Sequence, residues 1–348
     1  MRSMLVLAAA VVVVLAAGCA RVVTPAKMWT IELPEQYNTP DGMVVGKAGD
    51  ILLSCPNYND PSPGAFILKI GQDDQVSELV KLPEHPETGK PCGPLGIAEG
   101  PDGHLYVADN QSVYTADPKS RLLRIVMKEG KAERVEVLVT GLFAANAVAC
   151  HGDSVYVTDS KFSPDPTPPM RSGVYRFKLA ELNPAKPLAV KPGGADPHVC
   201  VRLTTENTDW VGANGMAFGP DGTMYVCNFG DAKIEAFTFS PQGKLTSRTL
   251  VAKRHGMLST DGLKVHPKTG ELYVADFLGN AVHRVNPRTG QVTTLAKNGN
   301  TDGRRGLLDR PSEPCIRGNK LYVANIDLPA AGNKFDKPYT VTVIELEE

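Results

Sequence analysis

Short hydrophobic runs recur along the chain, and polar residues and tight turns separate them. Two copies of one unit stand back to back in residues 210–285. The first leads from Asn214 through a Gly-Pro-Asp-Gly turn to the run Met-Tyr-Val around Tyr225. The second leads from Asp261 through a Pro-Lys-Thr-Gly turn to the run Leu-Tyr-Val around Tyr273. Runs of this length, bounded by Gly, Pro and Asp, predict short β-strands joined by tight turns.

Related units begin near residues 41, 95, 146 and 312, which makes six units in all. Each spans roughly 45 to 65 residues and supplies three or four strands, a period typical of a six-bladed β-propeller. No long helical pattern could serve as a crossover, so a parallel α/β fold is disfavoured. The last unit lacks a fourth strand, and we expect the isolated strand at 28–33 to supply it and close the ring.

Composition agrees with one large all-β domain. The chain has 348 residues, 42% of them hydrophobic, with 33 Gly and 28 Pro. Its net charge of -1 gives no electrostatic reason to expect a nucleic-acid partner. We expect a monomer that acts on a small molecule.

The N-terminus has the order of a targeting segment. Arg2 precedes an apolar run at 4–17, and small residues lead to Cys19. This order resembles a bacterial lipobox, which would leave Cys19 as a lipid-bearing first residue and hold an exported protein at the cell envelope, on the outer-membrane or periplasmic side. A signal cut after Ala20 and an uncleaved anchor are the alternatives. The chain then divides into a signal segment, a short linker and the propeller: 1–19, 20–27 and 28–348.

Six further cysteines permit up to three disulfides in an oxidising compartment, in fifteen connectivities that the sequence does not separate. Buried free thiols are the alternative. The residues are Cys55, Cys92, Cys150, Cys200, Cys227 and Cys315.

The innermost strand of each blade lines the central channel of a propeller, so the residue just before it faces the channel mouth. The six residues at this position are Asp41, Leu95, Asn146, Asn214, Asp261 and Ser312. Four of them carry carboxylate or amide oxygens, a hard donor set that suits one Ca²⁺ ion. The alternative is structural, because Asn or Asp before Gly is also common in turns.

Other residues near the mouth are candidates for substrate contacts or catalysis. His255, six residues before Asp261, could act as a general acid or base, or be an exposed loop histidine. Trp210 could wall a pocket or pack in the core. We also expect Leu95, Ser312 and Glu313 to contact substrate.

The order acid, Asn, Asn, Asp at the starts of these blades resembles the calcium-dependent propeller hydrolases. That group includes regucalcin (senescence marker protein), gluconolactonase, diisopropyl fluorophosphatase and the paraoxonases. The resemblance extends from Asp41 to the C-terminus and is most specific at Asn214 and Asp261, each followed by Gly. It implies that Asp41, Asn146, Asn214 and Asp261 bind calcium, with Asp261 also the candidate nucleophile or base.

The chain departs from this group at four positions. Asp41 stands where a glutamate is usual, and Ala144 where the regucalcin branch has a substrate-binding arginine. Leu95 and Asn110 stand where the paraoxonases have a catalytic histidine pair.

The sequence therefore predicts an exported, calcium-dependent hydrolase of lactones or esters. Two alternatives stay open. The unit from Asn146 to Asp159 also resembles the metal-independent strictosidine-synthase-like propellers, whose catalytic glutamate would fall near Ser312, beside Glu313. A non-catalytic propeller of the NHL-repeat kind would instead bind a protein or glycan.

Overall fold

The computed structural model describes residues 21–22, 27–165 and 167–346. Strands dominate this part of the chain, and its helices are two short 3₁₀ segments, Leu179–Glu181 and Pro192–Gly194. No helix in the described part is long and apolar enough to cross a membrane. The predicted signal segment, Cys19 and Ala20 lie outside the described residues.

The strands form six antiparallel sheets that follow one another along the chain, which confirms the six-bladed β-propeller. Blade 1 consists of Met43–Val45, Ile51–Cys55, Ala65–Ile70 and Val76–Leu82. Blade 2 consists of Pro94–Glu99, Leu105–Asp109, Ser120–Lys128 and Lys131–Leu142. Blade 3 consists of Ala145–His151, Ser154–Asp159, Met170–Lys178 and Val199–Thr205.

The second half of the ring repeats this order. Blade 4 consists of Ala213–Phe218, Met224–Asn228, Lys233–Phe239 and Leu245–Lys253. Blade 5 consists of Leu263–Val265, Leu272–Asp276, Ala281–Val285 and Val292–Lys297. Blade 6 consists of Pro311–Arg317, Lys320–Asn325, Thr340–Glu345 and the N-terminal strand Met28–Glu32.

Blade 6 closes the ring as predicted, because its outer strand comes from the start of the propeller. Met28–Glu32 pairs antiparallel with Thr340–Glu345, with Ile31 opposite Val341. Two short strands add parallel pairing at other outer edges: Arg21–Val22 beside blade 5 and Leu188–Ala189 beside blade 2. The closure covers an edge that would otherwise present unpaired backbone groups.

The hydrophobic core lies between neighbouring blades. Every residue of the second strand Leu105–Asp109 is buried, since each face of this strand packs against another blade. Successive side chains point to opposite faces of a strand. Val107 accordingly packs in one inter-blade cluster, and Tyr106 and Ala108 pack in the next.

The six cysteines of the propeller are free thiols, four buried and two half-buried. The structure therefore supports the alternative of free thiols, and it contains no disulfide among the described residues.

Candidate functional site

Four of the six predicted mouth residues meet at the channel axis. Asp41, Asn146, Asn214 and Asp261 come from blades 1, 3, 4 and 5 and line the same two adjoining cavities. The larger cavity has a volume of about 190 Å³, and the smaller chamber has a volume of about 10 Å³. A chamber of that size is on the scale of one water molecule or ion.

A local irregularity of the inner strands directs the two asparagine side chains toward the axis. In blade 3 the pairing shifts register between Ala145 and Val148, and in blade 4 between Ala213 and Met216. A β-bulge re-aims the side chains that it contains. Asn146 and Asn214 lie within these bulges, and Leu95 and Ser312 lie in the corresponding irregularities of blades 2 and 6.

Glycines after the mouth residues let the inner strands approach each other closely. The Gly215 amide donates to the Asp261 carbonyl at 3.1 Å, and a Cβ on Gly215 would lie 2.3 Å from that oxygen. The Gly262 amide likewise donates to the Ser312 carbonyl at 2.7 Å. Gly215 lies within the strand Ala213–Phe218, so the Asn-Gly pair here serves blade packing at the axis and is not a turn.

The wall of the larger cavity is apolar on one side. Its side chains come from the loops of blades 4, 5 and 6: Trp210, Val211, Phe229, Phe277, Ile326, Leu328 and Ala330. Leu95, Tyr58 and Val113 continue the lining on the side of blades 1 and 2. The cavity therefore combines polar oxygens at its floor with a hydrocarbon wall above them.

The two carboxylates at the floor share an environment that opposes negative charge. Burial raises the pKa of Asp41 to about 7, and the nearby Glu313 carboxylate adds to the rise. Burial also raises the pKa of Asp261 well above its usual value, followed by the charges of Asp41 and Glu313. The Asn214 side chain offsets this rise in part by hydrogen bonding to Asp261.

These observations fit a divalent cation. Within the described residues the only basic group lining the chamber is Lys264, and its amino group pairs with Glu313 rather than with the two aspartates. The donors around the chamber are carboxylate and amide oxygens, which are hard ligands of the kind that Ca²⁺ takes. Ionising Asp41 and Asp261 in this buried chamber is unfavourable. A bound cation would compensate the negative charge of the two carboxylates.

Three further predicted residues line the two cavities. Leu95 and the half-buried Trp210 line the larger cavity, and Glu313 lines the chamber below it.

Two predicted residues line neither cavity. Ser312 is 1% exposed, and its hydroxyl contacts the carbonyls of Pro40 and Ala324. Its side chain also hydrogen-bonds to Asp41 and lowers the pKa of that carboxyl in part, so Ser312 supports a site residue from behind the cavity wall. His255 lies on an exposed turn with a positive φ of 48° and lines neither cavity, because the turn directs it to solvent.

Sequence reasoning missed most of the apolar wall. Phe229, Phe277 and Ile326 each follow directly on the Asn or Asp that ends a second strand. That position, three residues after the Val of the Tyr-Val run, is the signal that could have identified them. Lys264 was also missed, although lysine is an unusual residue in an innermost strand that lines a channel.

The acids that end the second strands position the loops rather than form the site. Asp276 accepts hydrogen bonds from the backbone amides of Leu258 and Ser259, at 2.9 and 2.7 Å. Asp159 does the same for Phe143 and Ala144. These contacts hold the segments that lead into the innermost strands of blades 3 and 5.

A second sizeable cavity, of about 300 Å³, lies beside blade 3 and includes Phe143, Asp159, Phe162 and Tyr175 in its lining. Its one carboxylate, Asp159, is already bound by backbone amides. This cavity therefore lacks the convergent free oxygens of the channel site.

Comparison with known proteins agrees with this geometry. A family model described as "SMP-30/Gluconolactonase/LRE-like region" matches residues 63–321. A gluconolactonase of Zymomonas mobilis subsp. mobilis is 28% identical over 221 residues, which are 61% of this chain and 55% of that protein. The chain thus spans about half the length of this relative.

Solved structures share the fold at low sequence identity. A gluconolactonase of Xanthomonas campestris has a TM-score of 0.56 at 18% identity, covering 92% of this chain and 89% of its own. A luciferin-regenerating enzyme has a TM-score of 0.59 at 14% identity, covering 92% and 95%. A streptogramin B lyase has a TM-score of 0.55 at 12% identity, covering 92% and 98%. At these identities the likeness concerns the fold alone.

Proposed function

The chain belongs to the SMP-30/gluconolactonase/LRE-like family, and on this premise we propose that it is a calcium-dependent hydrolase of lactones or esters. One observation carries the proposal. Asp41, Asn146, Asn214 and Asp261, far apart in sequence, line one ion-sized chamber beneath an apolar cavity. The gluconolactonases among its relatives and structural neighbours support a hydrolytic activity of this type.

Those four residues would hold one Ca²⁺ ion. Two carboxylates match the charge of a divalent ion, and two amide oxygens add neutral ligands, an arrangement that Ca²⁺ tolerates in irregular geometry. When bound, Ca²⁺ supplies Lewis-acid polarisation of a substrate carbonyl or phosphoryl oxygen.

Asp261 is the residue that we assign to the reaction. Its carboxylate, once deprotonated, would take a proton from the attacking water or attack the carbonyl carbon itself. Asn214 hydrogen-bonds to Asp261 and would fix its orientation. The Gly215 amide, which donates to the Asp261 carbonyl, holds the backbone of the same residue.

The wall of the cavity favours a substrate with a hydrocarbon portion. Trp210, Phe229 and Phe277 form a run of tilted aromatic contacts, with ring centroids 5.8 and 6.0 Å apart along it. Such a wall removes apolar surface from water but offers few hydrogen bonds to sugar hydroxyls. We therefore propose alkyl-substituted lactones or esters as the preferred substrates, ahead of polyhydroxylated lactones.

The metal-independent alternative has less support. Glu313, the glutamate nearest to Ser312, is paired with Lys264 in the chamber and is not available as a free acid or base.

The proposal also includes the cellular location of the protein. We propose that the chain is exported and held at the envelope through a lipid on Cys19, and that it works there as a monomer. Replacing Cys19 with Ser should move the protein from the membrane fraction to the soluble fraction. Recovery of the Cys19→Ser variant in the membrane fraction would contradict the anchor.

A substrate panel tests the function. The purified protein is assayed on gluconolactone, alkyl-substituted lactones of increasing chain length and aryl esters, each with CaCl₂ or with EDTA. We expect hydrolysis that needs Ca²⁺ and is fastest for an alkyl-substituted substrate. Equal rates with and without chelator would contradict calcium dependence, and a preference for gluconolactone would contradict the substrate class.

A further inference from the structure

Three buried or half-buried carboxylates cluster in blade 6, outside the residues that line the channel cavities. Asp309 precedes the strand Pro311–Arg317, Asp327 follows the strand Lys320–Asn325, and Asp336 lies in the loop after it. One carboxylate oxygen from each lies within 4.8 Å of the others. The fold thus brings together three acids from separate segments of the same blade.

The cluster contains buried oxygen atoms that have no hydrogen-bond partner within the described residues. They are Oδ1 of Asp309, Oδ1 of Asp336 and Oδ1 of the amide of Asn333. Asp309 is 2% exposed and Asn333 is 6% exposed. Nearly all buried polar groups in proteins have a partner, so unpaired acceptors from an amide and two carboxylates indicate a missing positive group.

No neighbouring basic side chain forms an ion pair with these three acids among the described residues. The charge of Arg310 lowers the pKa of Asp309 and Asp327 in part, but its guanidinium donates to the carbonyls of Phe277, Leu278 and Ala331. The other charge close to Asp309 is the carboxylate of Asp302, which is also negative. Burial, followed by the charges of Asp327 and Asp336, raises the pKa of Asp309 to about 8.

We propose that Asp309, Asp327 and Asp336 bind a second divalent cation, with Ca²⁺ as the preferred ion. Carboxylate oxygens form a hard donor set, and irregular spacing from three loop segments suits Ca²⁺ better than Mg²⁺. This inference is independent of the ion proposed for the channel, since the two sites share no residue.

The second cation would fix one side of the substrate cavity. Asp327 lies between Ile326 and Leu328, both of which line that cavity. The Asn333 amide already donates to Oδ1 of Asp327 at 2.6 Å and to the Leu328 carbonyl at 3.0 Å. A cation joining Asp309 to Asp327 and Asp336 would therefore order the 326–338 loop that carries the wall.

Calorimetric titration with CaCl₂ tests the site on protein freed of metal with EDTA. The test variant is Asp309→Asn/Asp336→Asn, because the side chains of both residues accept no hydrogen bond among the described residues. The matched control is Asp302→Asn, a nearby acid that belongs to the ion pair with Arg304. We expect one fewer Ca²⁺ equivalent in the double variant and an unchanged number in Asp302→Asn.

The Asp261→Asn variant separates this proposal from the channel site. We expect it to lose the channel ion and to keep the second one. An unchanged number of equivalents in Asp309→Asn/Asp336→Asn would overturn the second site, whatever Asp261→Asn shows. If the double variant loses one Ca²⁺ equivalent and Asp261→Asn loses none, the result would support the second site and argue against the channel ion. The titration is repeated with MgCl₂. Binding of Mg²⁺ with the same affinity as Ca²⁺ would overturn the preference for Ca²⁺.

Limited trypsin digestion provides a second readout. Lys334 is exposed in the 326–338 loop. We expect Ca²⁺ to slow cleavage after Lys334 in the wild type and in Asp261→Asn but not in the double variant. In EDTA the double variant should have a Tm equal to or above that of the wild type, because uncompensated charge has been removed. Protection by Ca²⁺ that persists in the double variant would overturn the proposal.

Discussion

The charge of Asp41 on blade 1 raises the pKa of Asp261 on blade 5, across the chamber that both residues line. Two acids placed this way stabilise a cation between them and destabilise the fold when no cation is bound. The stability of the metal-free protein should therefore depend on pH.

The metal-free protein should lose stability as pH rises from about 4 to about 7. Asp41 titrates near 3.8 when unfolded, and its pKa rises to about 7 in the fold. The folded state binds more protons at Asp41 between these values, so the contribution of Asp41 to the free energy of unfolding falls with pH across this window and levels off above it. We expect this decline in the Tm measured in EDTA, and a smaller decline when Ca²⁺ is present.

The Asp41→Asn variant isolates this contribution. Asp159, Asp309 and Asp327 also have a raised pKa, of about 7, about 8 and about 6, and Asp261 has a pKa well above its usual value, so all four act in the same direction. The variant should therefore retain some decline of Tm with pH, but less than the wild type does. Identical pH slopes for the two proteins in EDTA would show that Asp41 does not carry the effect.

Replacing Asp261 with Asn should remove the candidate base while keeping its shape. We expect kcat/KM on the preferred lactone to fall by about 100-fold or more. The shift of Tm on adding Ca²⁺ should also shrink, because one charged ligand is lost. Steady-state kinetics and thermal melts measure both effects.

Asp209→Asn is the matched control for this substitution. Asp209 is an exposed acid beside Trp210, close to the mouth but outside both cavities. We expect wild-type kinetics from this control. Unimpaired turnover in Asp261→Asn would exclude the role that we assign to Asp261.

Removing Lys264 alone should destabilise the fold more than removing Lys264 and the charge of Glu313 together. Their side chains are 24% and 14% exposed. Lys264→Met leaves Glu313 as an unpaired charge next to Asp41 and Asp261, and should cost about 3 kcal/mol in the free energy of unfolding. The double variant Lys264→Met/Glu313→Gln should be less destabilised in urea unfolding. A double variant less stable than Lys264→Met would contradict this account of the chamber.

Shortening Trp210 to Ala should weaken binding of alkyl-substituted substrates. The loss of its contact with the aromatic wall should raise KM roughly tenfold for a long-chain lactone, with little change in kcat. Leu250→Ala, which shortens an exposed residue on the outer strand of blade 4, is the control. A KM that changes equally for short-chain and long-chain lactones would argue against a hydrocarbon-binding wall.

The sequence predicted the elements that repeat, because repetition is visible in one dimension. Leu-Tyr-Val and related runs marked the second strands, and a polar residue at the start of the innermost strand marked Asp41, Asn146, Asn214 and Asp261 in four of the six blades. The isolated strand at 28–33 was correctly assigned to blade 6, since the last unit lacked a partner for its edge.

The individual contacts of the long loops were not predicted. The apolar wall includes Leu328 and Ala330 from the connection between the second and third strands of blade 6, and its side chains become neighbours only when the ring closes. His255 was placed near the mouth from its spacing to Asp261, but a turn with positive φ directs it to solvent. The cluster of Asp309, Asp327 and Asp336 was missed because its members share no motif.

A crystal structure of the protein grown with CaCl₂ tests the central claim most directly. It should show one ion in the chamber, bound by oxygens of Asp41, Asn146, Asn214 and Asp261 at about 2.3 to 2.6 Å. A chamber that holds only water at saturating Ca²⁺, with these four side chains turned to other partners, would contradict the account.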